Sequence, residues 1–568
     1  MNIKNLTVKN VKSFGDEISI DFQDNLNIFI GPNAGGKSNL MDILNITLIY
    51  FFVHSWKAGV QPDEFGGIKR KFLEEHLIFE PINRFLEKHL RKLESSQQIQ
   101  ITFIPEKEDA DNIKNVKKFQ KELIEFEKIE YGTTYFQSVF FPQLEGFDID
   151  SIIGKKLEFI IVNNNPIQIS NIPLENKIFF NYLKFFNLLD LLIEEYNQSI
   201  KDDTQKIPVL YPPLAYFSPY RIPQARSLTI TLSSVDYFNI IEKHLKGDSK
   251  SISSSFEIAN YYFAKKLRYL DDKMETFQSE EEIKIINDYV EKLGYKDFGY
   301  ECKNKEKNIY EGFLTQRDGT KLDLSRASGG EKEIINFLLG IFALNVKNGV
   351  VIIDEPELHL HPKWQRILLE LFYDFTEKRG IQFFVVTHSP HFITPQSIRS
   401  IFRIYLNTDA NSQVASPQVL DESEKDLFML VNIFNNTKVF FADKVILVEG
   451  NVDLIIYESI LERMQIDTKN SEVIEIIEVQ QKGGIEKNKD FLGKWQIKTY
   501  GVVDKDKSTQ SQGVSILKNG EIENYFQNVV AKEKYHIEDA LQIAKKISEN
   551  IIGIPTELKD IFKNIIGD

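Results

Sequence analysis

Eight residues, Gly31-Pro-Asn-Ala-Gly-Gly-Lys-Ser38, constrain this chain more than any other stretch. They stand between a short apolar run, Asn27-Ile-Phe-Ile30, and a largely apolar segment that begins just after Asn39. Strand, glycine-rich turn and helix in that order build a cradle for phosphate. The glycines let successive backbone N–H groups curl around anionic oxygens, at a helix N-terminus that already favours negative charge. The motif therefore selects Gly31, Pro32, Asn33, Gly35, Gly36, Lys37, Ser38 and Asn39 as nucleotide contacts. Lys37 would reach the β- and γ-phosphates, and the Ser38 hydroxyl would ligate Mg²⁺. A fold that presents such a turn is α/β.

Three further pieces follow. Val350-Val-Ile-Ile-Asp-Glu355 is a buried-strand pattern ending in two carboxylates. Asp354 would hold Mg²⁺ through water, and Glu355 would orient or deprotonate the attacking water. A solvent-capped strand end is the plain alternative, and its pairing with the phosphate loop disfavours it. Ser328-Gly-Gly-Glu331 stands before that strand and opens a long helix; alone it is an ordinary N-cap. Val385-Val-Thr-His-Ser389 is an apolar strand that ends in a histidine.

Together these motifs resemble the ABC ATPase family. The resemblance implies ATP as the nucleotide and His388 as a γ-phosphate sensor. It also implies that Ser328, Gly329 and Gly330 contact the γ-phosphate bound by another subunit, so a homodimer or higher homo-oligomer is expected. The tract Glu355-Pro-Glu-Leu-His-Leu-His-Pro362 resembles SMC-like and OLD-family ATPases rather than transporters. Glu357, His359 and His361 alternate as metal ligands can, but a loop at the dimer interface is the preferred reading. The family's glutamine loop falls on Gln137 or Gln143, which the sequence does not separate.

A second constellation lies near the C-terminus. The apolar strand in Val439-Phe-Phe-Ala-Asp-Lys-Val-Ile-Leu-Val-Glu-Gly450 ends in Glu449, and Gly501-Val-Val-Asp-Lys-Asp506 ends in Asp504 and Asp506. Carboxylates one residue apart at a strand end can converge on one Mg²⁺ or Mn²⁺, helped by a neighbouring strand. Two such ions activate water and stabilise the leaving oxygen of a phosphodiester. The pattern resembles TOPRIM, and with the preceding Phe-Phe-Ala-Asp-Lys it resembles the OLD family, which fuses an ABC-type ATPase to a TOPRIM nuclease and includes the Gabija nuclease. Glu449, Asp504 and Asp506 should form the first metal site. By the same resemblance Asp453, expected on one helical face with Glu449, helps bind a second metal. Glu521 and Glu523 are the remaining carboxylates, with Glu523 favoured. Lys482-Gly483-Gly484 resembles the family's middle turn, and Lys482, Lys505 and Lys507 are unranked candidates for a catalytic lysine. The segment from Lys444 to Asp568 is short for such a domain, which suggests that cutting depends on dimerisation or a separate partner.

With 568 residues, the chain exceeds one comfortable domain. The expected organisation is an ABC-type ATPase over 1–405, with a helical insertion at 236–300 as a candidate dimerisation arm. A linker over 406–440 and a small α/β TOPRIM domain over 441–568 complete it. Residues 106–130 read as exposed helix. The lone Cys302 excludes a disulfide framework, the N-terminus has no apolar signal core, and the apolar stretch Leu44–Val53 is too short to span a bilayer. A cytoplasmic protein without a membrane partner is expected. The net charge of −14 argues only weakly against nucleic acid, since phosphate contacts can occupy a local groove.

The leading functional expectation is a nucleotide-regulated DNA endonuclease in defence against phage or mobile DNA. One alternative is an ATP-driven sensor that acts on RNA, tRNA included, or through a separate defence-system effector protein. The other is an SMC-like clamp without nuclease activity.

Overall fold

The computed structural model describes residues 1–52, 55–62, 68–76, 80–93, 95–132, 136–137, 140–162, 172–200, 203–217, 229–232, 254–323, 326–416, 437–468, 472–479, 484–505, 512–532 and 534–567. It divides into two compact units. The first comprises residues 1–28, 38–387 and 408–412; the second comprises 29–37, 388–407 and 413–568.

The first unit opens with β1 (Asn2–Lys9) and β2 (Ile18–Asp21). β3 (Leu26–Ile30) leads through the phosphate loop to α1 (Lys37–Phe52). β4 (Gln98–Ile104), α2 (Lys107–Lys118), α3 (Gln120–Tyr131), β5 (Leu157–Val162) and α4 (Leu174–Ser199) follow. β1 pairs antiparallel with β2 and β4, and β5 pairs with β4. Period-two alternation puts Ile99, Ile101 and Phe103 of β4 wholly inside. Phe51 of α1 meets Phe103 and Phe159 edge-on, each at 5.1 Å, so aromatic packing joins helix to sheet.

Residues 106–130 are helical, as the sequence indicates, but not simply exposed. Ala110, Ile113, Val116 and Leu123 are fully buried. Apolar residues three or four apart give α2 an inner stripe that its abundant charge disguises in the sequence.

α4 carries a carboxylate under stress. Asp190 is pushed up to about 7, first by burial and then by the neighbouring charge of Glu194, with Lys265 opposing. Glu194 itself accepts hydrogen bonds from Lys265 and, at 3.4 Å, from Tyr261. The unfolded chain titrates Asp190 near 3.8, so this group's contribution to stability is full below about pH 4. It is lost as pH rises from there through 7. Asp190→Asn is therefore expected to raise stability at pH 8 by about 2 kcal/mol and to change nothing near pH 4. Thermal unfolding at the two pH values checks this, and equal melting at pH 8 would remove the strain argument.

Strand β6 (Leu214–Phe217) precedes α5 (Ser254–Tyr269) and α6 (Glu281–Lys292). Residues 236–253 of the expected insertion lie outside the described residues. The two helices bury Ile258, Phe263, Ile286 and Val290, and the helical part stops before β7 (Asp297–Asn304). β7, β8 (Ile309–Thr315) and β9 (Lys321–Asp323) form an antiparallel meander. The charged pattern through 297–300 predicts helix; Phe298 and Tyr300 turn inward from a strand instead. Then come α7 (Gly329–Leu344), β10 (Val350–Asp354), α8 (Pro362–Arg379) and β11 (Gln382–Val386). β10 pairs parallel with both β6 and β11, which explains its unbroken apolar run: parallel strands are covered on both faces.

The second unit holds β12 (Ile401–Leu406), which runs beside Phe29 and Ile30 with the Phe29 and Phe402 rings 5.3 Å apart. It continues with β13 (Lys444–Val448), α9 (Asn451–Thr468), β14 (Ile474–Glu478), α10 (Gly484–Gly493), β15 (Lys498–Val503) and β16 (Val514–Ile516). α11 (Ile537–Ser548) and α12 (Thr556–Gly567) close it. The strands form one parallel sheet in the order β14-β13-β15-β16. Its core packs Ile446, Val448, Ile460, Val502 and Phe526 against Ile543, Ile547, Leu558 and Phe562 of the last two helices. Lys444 is buried, pairs with Glu472 at 2.8 Å, and donates to the Ile565 and Ile566 carbonyls at 3.1 and 3.3 Å, capping α12.

Candidate functional site

The phosphate loop takes backbone shapes that its glycines permit. Gly31 has φ +140° and Gly36 φ +113°, conformations closed to ordinary side chains. A Cβ on Gly31 would lie 2.0 Å from the Ile404 carbonyl oxygen, and one on Gly35 would lie 2.6 Å from it. α1 begins at Lys37, so the loop ends on a helix N-terminus. The Lys37 ammonium is buried and donates to the Gly31 and Pro32 carbonyls, each at 2.9 Å. Ser38 and Asn33 are exposed, and the Asn39 amide donates to the Ser13 hydroxyl at 2.7 Å. His388, also in the second unit, is exposed just beyond β11.

In the first unit, Asp354 ends β10, and Glu355 follows with φ +48°, left-handed for a residue that carries a side chain. Strained backbone of this kind persists where the surroundings over-determine it. The Glu355 N–H donates to the Val386 carbonyl at 2.9 Å. Ser328 caps α7 through a reciprocal box: its hydroxyl accepts from the Glu331 N–H at 3.3 Å, and the Glu331 carboxylate accepts from the Ser328 N–H at 2.7 Å. Gly330 is packed where a Cβ would meet the His359 carbonyl at 2.8 Å and the Trp364 ring at 2.7 Å. The alternating Glu357, His359 and His361 do not act as a set. Glu357 accepts from Thr387 at 2.7 Å, and His361 caps α8 through Nδ1 at 3.2 Å. Gln137 is exposed and Gln143 partly buried.

The second constellation sits on the parallel sheet of the second unit. The order β14-β13-β15-β16 reverses direction between β13 and β15, and ligands of open α/β sheets bind at that crevice, beyond the strand C-termini. Glu449 directly follows β13, and Asp504 directly follows β15. Asp453 lies in the first turn of α9, its carboxylate accepting from the Gly450 N–H at 3.2 Å. Because α9 starts at Asn451, Glu449 and Asp453 share no helical face; the turn at Gly450 joins them. Asp453 is pushed up to about 7, first by burial and then by Asp504, Glu523 and Glu449 in that order. Asp504, Glu523 and Glu449 therefore lie close enough for their charges to raise Asp453. Glu523 is buried and held by the Tyr535 N–H at 3.3 Å, whereas Glu521 is exposed. Asp506, Lys482, Gly483 and Lys507 lie outside the described residues, and Lys505 is exposed.

The donor set fits a divalent cation. Hard carboxylate oxygens gathered against their own repulsion are the ligands that Mg²⁺ and Mn²⁺ take. Among the described residues no three of these groups already stand at ligand distance of one point. A cation there would exchange the repulsion felt by Asp453 for attraction. The sequence reading passed over Tyr457, one helical turn beyond Asp453. Burial and the Asp453 and Asp504 charges hold its hydroxyl well above the usual range, so it stays a proton donor beside the cluster.

A phosphate loop between strand and helix, followed by a smaller parallel sheet that bears carboxylates at its strand ends, defines an ATPase-type chain with an added α/β domain. The family profile described as AAA ATPase domain matches residues 1–393, and the chain belongs to that family. A second profile, the TOPRIM domain of proteins like the overcoming lysogenization defect protein, matches residues 440–506. The chain resembles the OLD nuclease of Thermus scotoductus, with 30% identity over 159 residues, 26% of this chain and 30% of that protein. The Old nuclease of Escherichia phage P2 is 24% identical over 200 residues, 32% of this chain and 34% of that one. The Retron Vc95 probable ATPase of Vibrio cholerae is 26% identical over 171 residues, 28% and 32% of the two chains. The matched stretches span about a third of each of these relatives. No helix among the described residues is long and apolar enough to cross a membrane.

Proposed function

We propose that this chain binds and hydrolyses ATP and uses its TOPRIM domain to cut DNA with Mg²⁺ or Mn²⁺, in defence against phage or mobile DNA. The observation that carries the reading is the gathering of Glu449, Asp453, Asp504 and Glu523 at the crevice between β13 and β15. With Asp506, these residues would hold the metal, which supplies an activated water and charge stabilisation at the scissile phosphate. Lys37, Ser38 and Asp354 would bind the nucleotide with its Mg²⁺, Glu355 would direct water at it, and His388 would sense the γ-phosphate. The ATPase part is assigned to 1–405, the linker to 406–440 and the nuclease part to 441–568. The helices within the 236–300 segment, from Ser254 to Lys292, are its candidate dimerisation arm. Ser328, Gly329 and Gly330 would serve the nucleotide of a second copy, so the working form is a homodimer in the cytoplasm, open to a separate effector protein. Likeness to proteins named OLD nuclease supports cutting, but does not choose the nucleic acid.

The decisive experiment incubates purified protein with supercoiled plasmid or with tRNA, each with Mg²⁺ or Mn²⁺, with and without ATP. Metal-dependent nicking or linearisation of the plasmid, abolished by a chelator, is expected. Cleavage of tRNA alone would transfer the reading to an RNA substrate. No cleavage of either would leave an ATP-driven clamp.

A further inference from the structure

Arg403 is 2% exposed and lies on β12, beside the residue whose carbonyl packs against the phosphate loop. All the groups concerned belong to the second unit. The guanidinium gives its N–H groups to four backbone carbonyls. Nε donates to Phe440 at 3.3 Å, Nη1 to Trp495 at 3.1 Å and Gln496 at 3.3 Å, and Nη2 to Ala442 at 2.8 Å. A buried charge is costly, and a planar five-donor fork is the side chain able to bind four carbonyls at once, with the Asp443 charge and the Tyr405 ring 5.4 Å away adding support. Burial pushes Arg403 down to about 10, which leaves it cationic at neutral pH. The Phe440 and Trp495 rings pack edge-on against each other, 5.2 Å apart.

The position of those carbonyls matters. Phe440 and Ala442 lie in the last few residues before β13, and Trp495 and Gln496 lie in the last few residues before β15. These two strands are neighbours, with Lys444 opposite Lys498. Arg403 thus holds the starting ends of both strands whose far ends carry Glu449 and Asp504. The next residue along β12, Ile404, presents the carbonyl on which Gly31 and Gly35 close. A second tie runs the same way: the Thr437 hydroxyl donates to the Pro390 carbonyl at 3.2 Å, two residues beyond His388.

We infer that Arg403 is a positioning residue that couples the phosphate loop to the carboxylate-bearing strands: a nucleotide that shifts the loop shifts β12, and β12 shifts β13 and β15 together. The inference rests on the reading of residues 31–38 as a nucleotide site, and it specifies how that site would govern the metal cluster.

Hydrogen exchange of the full chain, with and without a non-hydrolysable ATP analogue and Mg²⁺, tests it. In the wild type the analogue should slow exchange at residues 31–40 and change it about threefold or more at 440–448 and 496–503. Arg403→Lys keeps the charge but cannot span four carbonyls; it should keep the first response and lose the second. A purely structural arginine would alter exchange at 440–448 equally with and without nucleotide. Protection at 31–40 with no change in the two strands of the wild type overturns the inference. So does a strand response that persists in Arg403→Lys. Absence of protection at 31–40 overturns the nucleotide reading itself, and the inference with it.

Discussion

Alanine in place of Glu449 or Asp504 is expected to slow metal-dependent DNA cleavage by about 10³-fold or more, near 4 kcal/mol of transition-state stabilisation. Each residue ends one of the two strands that flank the crevice, so the loss of either removes metal ligands from one wall. Asp453→Ala and Glu523→Ala should cost less, about 10–100-fold, with partial recovery in Mn²⁺. Glu521→Ala supplies the control, because that carboxylate faces solvent in the same segment. Initial rates on plasmid, with melting temperature measured with and without metal, separate lost chemistry from lost fold. A loaded cluster should melt higher with metal in the wild type and show little metal shift in Glu449→Ala. Wild-type cutting by both alanine variants would assign the activity to a contaminant.

Glu355→Gln is expected to keep ATP affinity while slowing hydrolysis about 10²–10⁴-fold, the usual contribution of a positioned general base. Lys37→Ala should instead abolish binding, because it deletes the charge that faces the phosphates. The Lys37 ammonium already rests on the Gly31 and Pro32 carbonyls at 2.9 Å, at the mouth of the loop. If a second copy supplies Ser328–Gly330, hydrolysis per chain should rise with protein concentration before it levels off. Nucleotide binding by fluorescence and phosphate release at several protein concentrations measure all three effects. A Gln variant with wild-type turnover would dismiss Glu355 as the water-directing residue. A rate independent of concentration down to the nanomolar range would dismiss completion of the site by association.

Residues that act through backbone were the most legible. The Gly31–Ser38 turn, the β10 run ending in Asp354 and the β13 run ending in Glu449 each announce strand, turn and helix by local chemistry. The structure places those elements where the residues indicate. Misreadings occurred where pattern and environment diverge. Residues 106–130 carry so much charge that their buried stripe of Ala110, Ile113 and Val116 reads as surface. Residues 297–300 continue a charged helical stretch in composition, yet pair with β8 through contacts the local sequence does not contain.

The sequence by itself determined the chemical inventory: a glycine-rich loop between strand and helix, a strand-end carboxylate pair, a histidine after an apolar strand, and acidic residues set at the ends of two apolar strands. Periodicity and glycine placement are local properties, so local residues suffice to declare them. Only the tertiary structure decided which carboxylates come near Asp453. Glu523 lies far along the chain from Glu449, yet it is buried and close enough to Asp453 to raise that carboxyl. The same holds for Arg403, an unremarkable residue in Phe-Arg-Ile until folding brings carbonyls from positions 440, 442, 495 and 496 around its guanidinium. A side chain whose partners are main-chain carbonyls far along the chain leaves no trace in its own sequence neighbourhood, because every residue type supplies the same carbonyl.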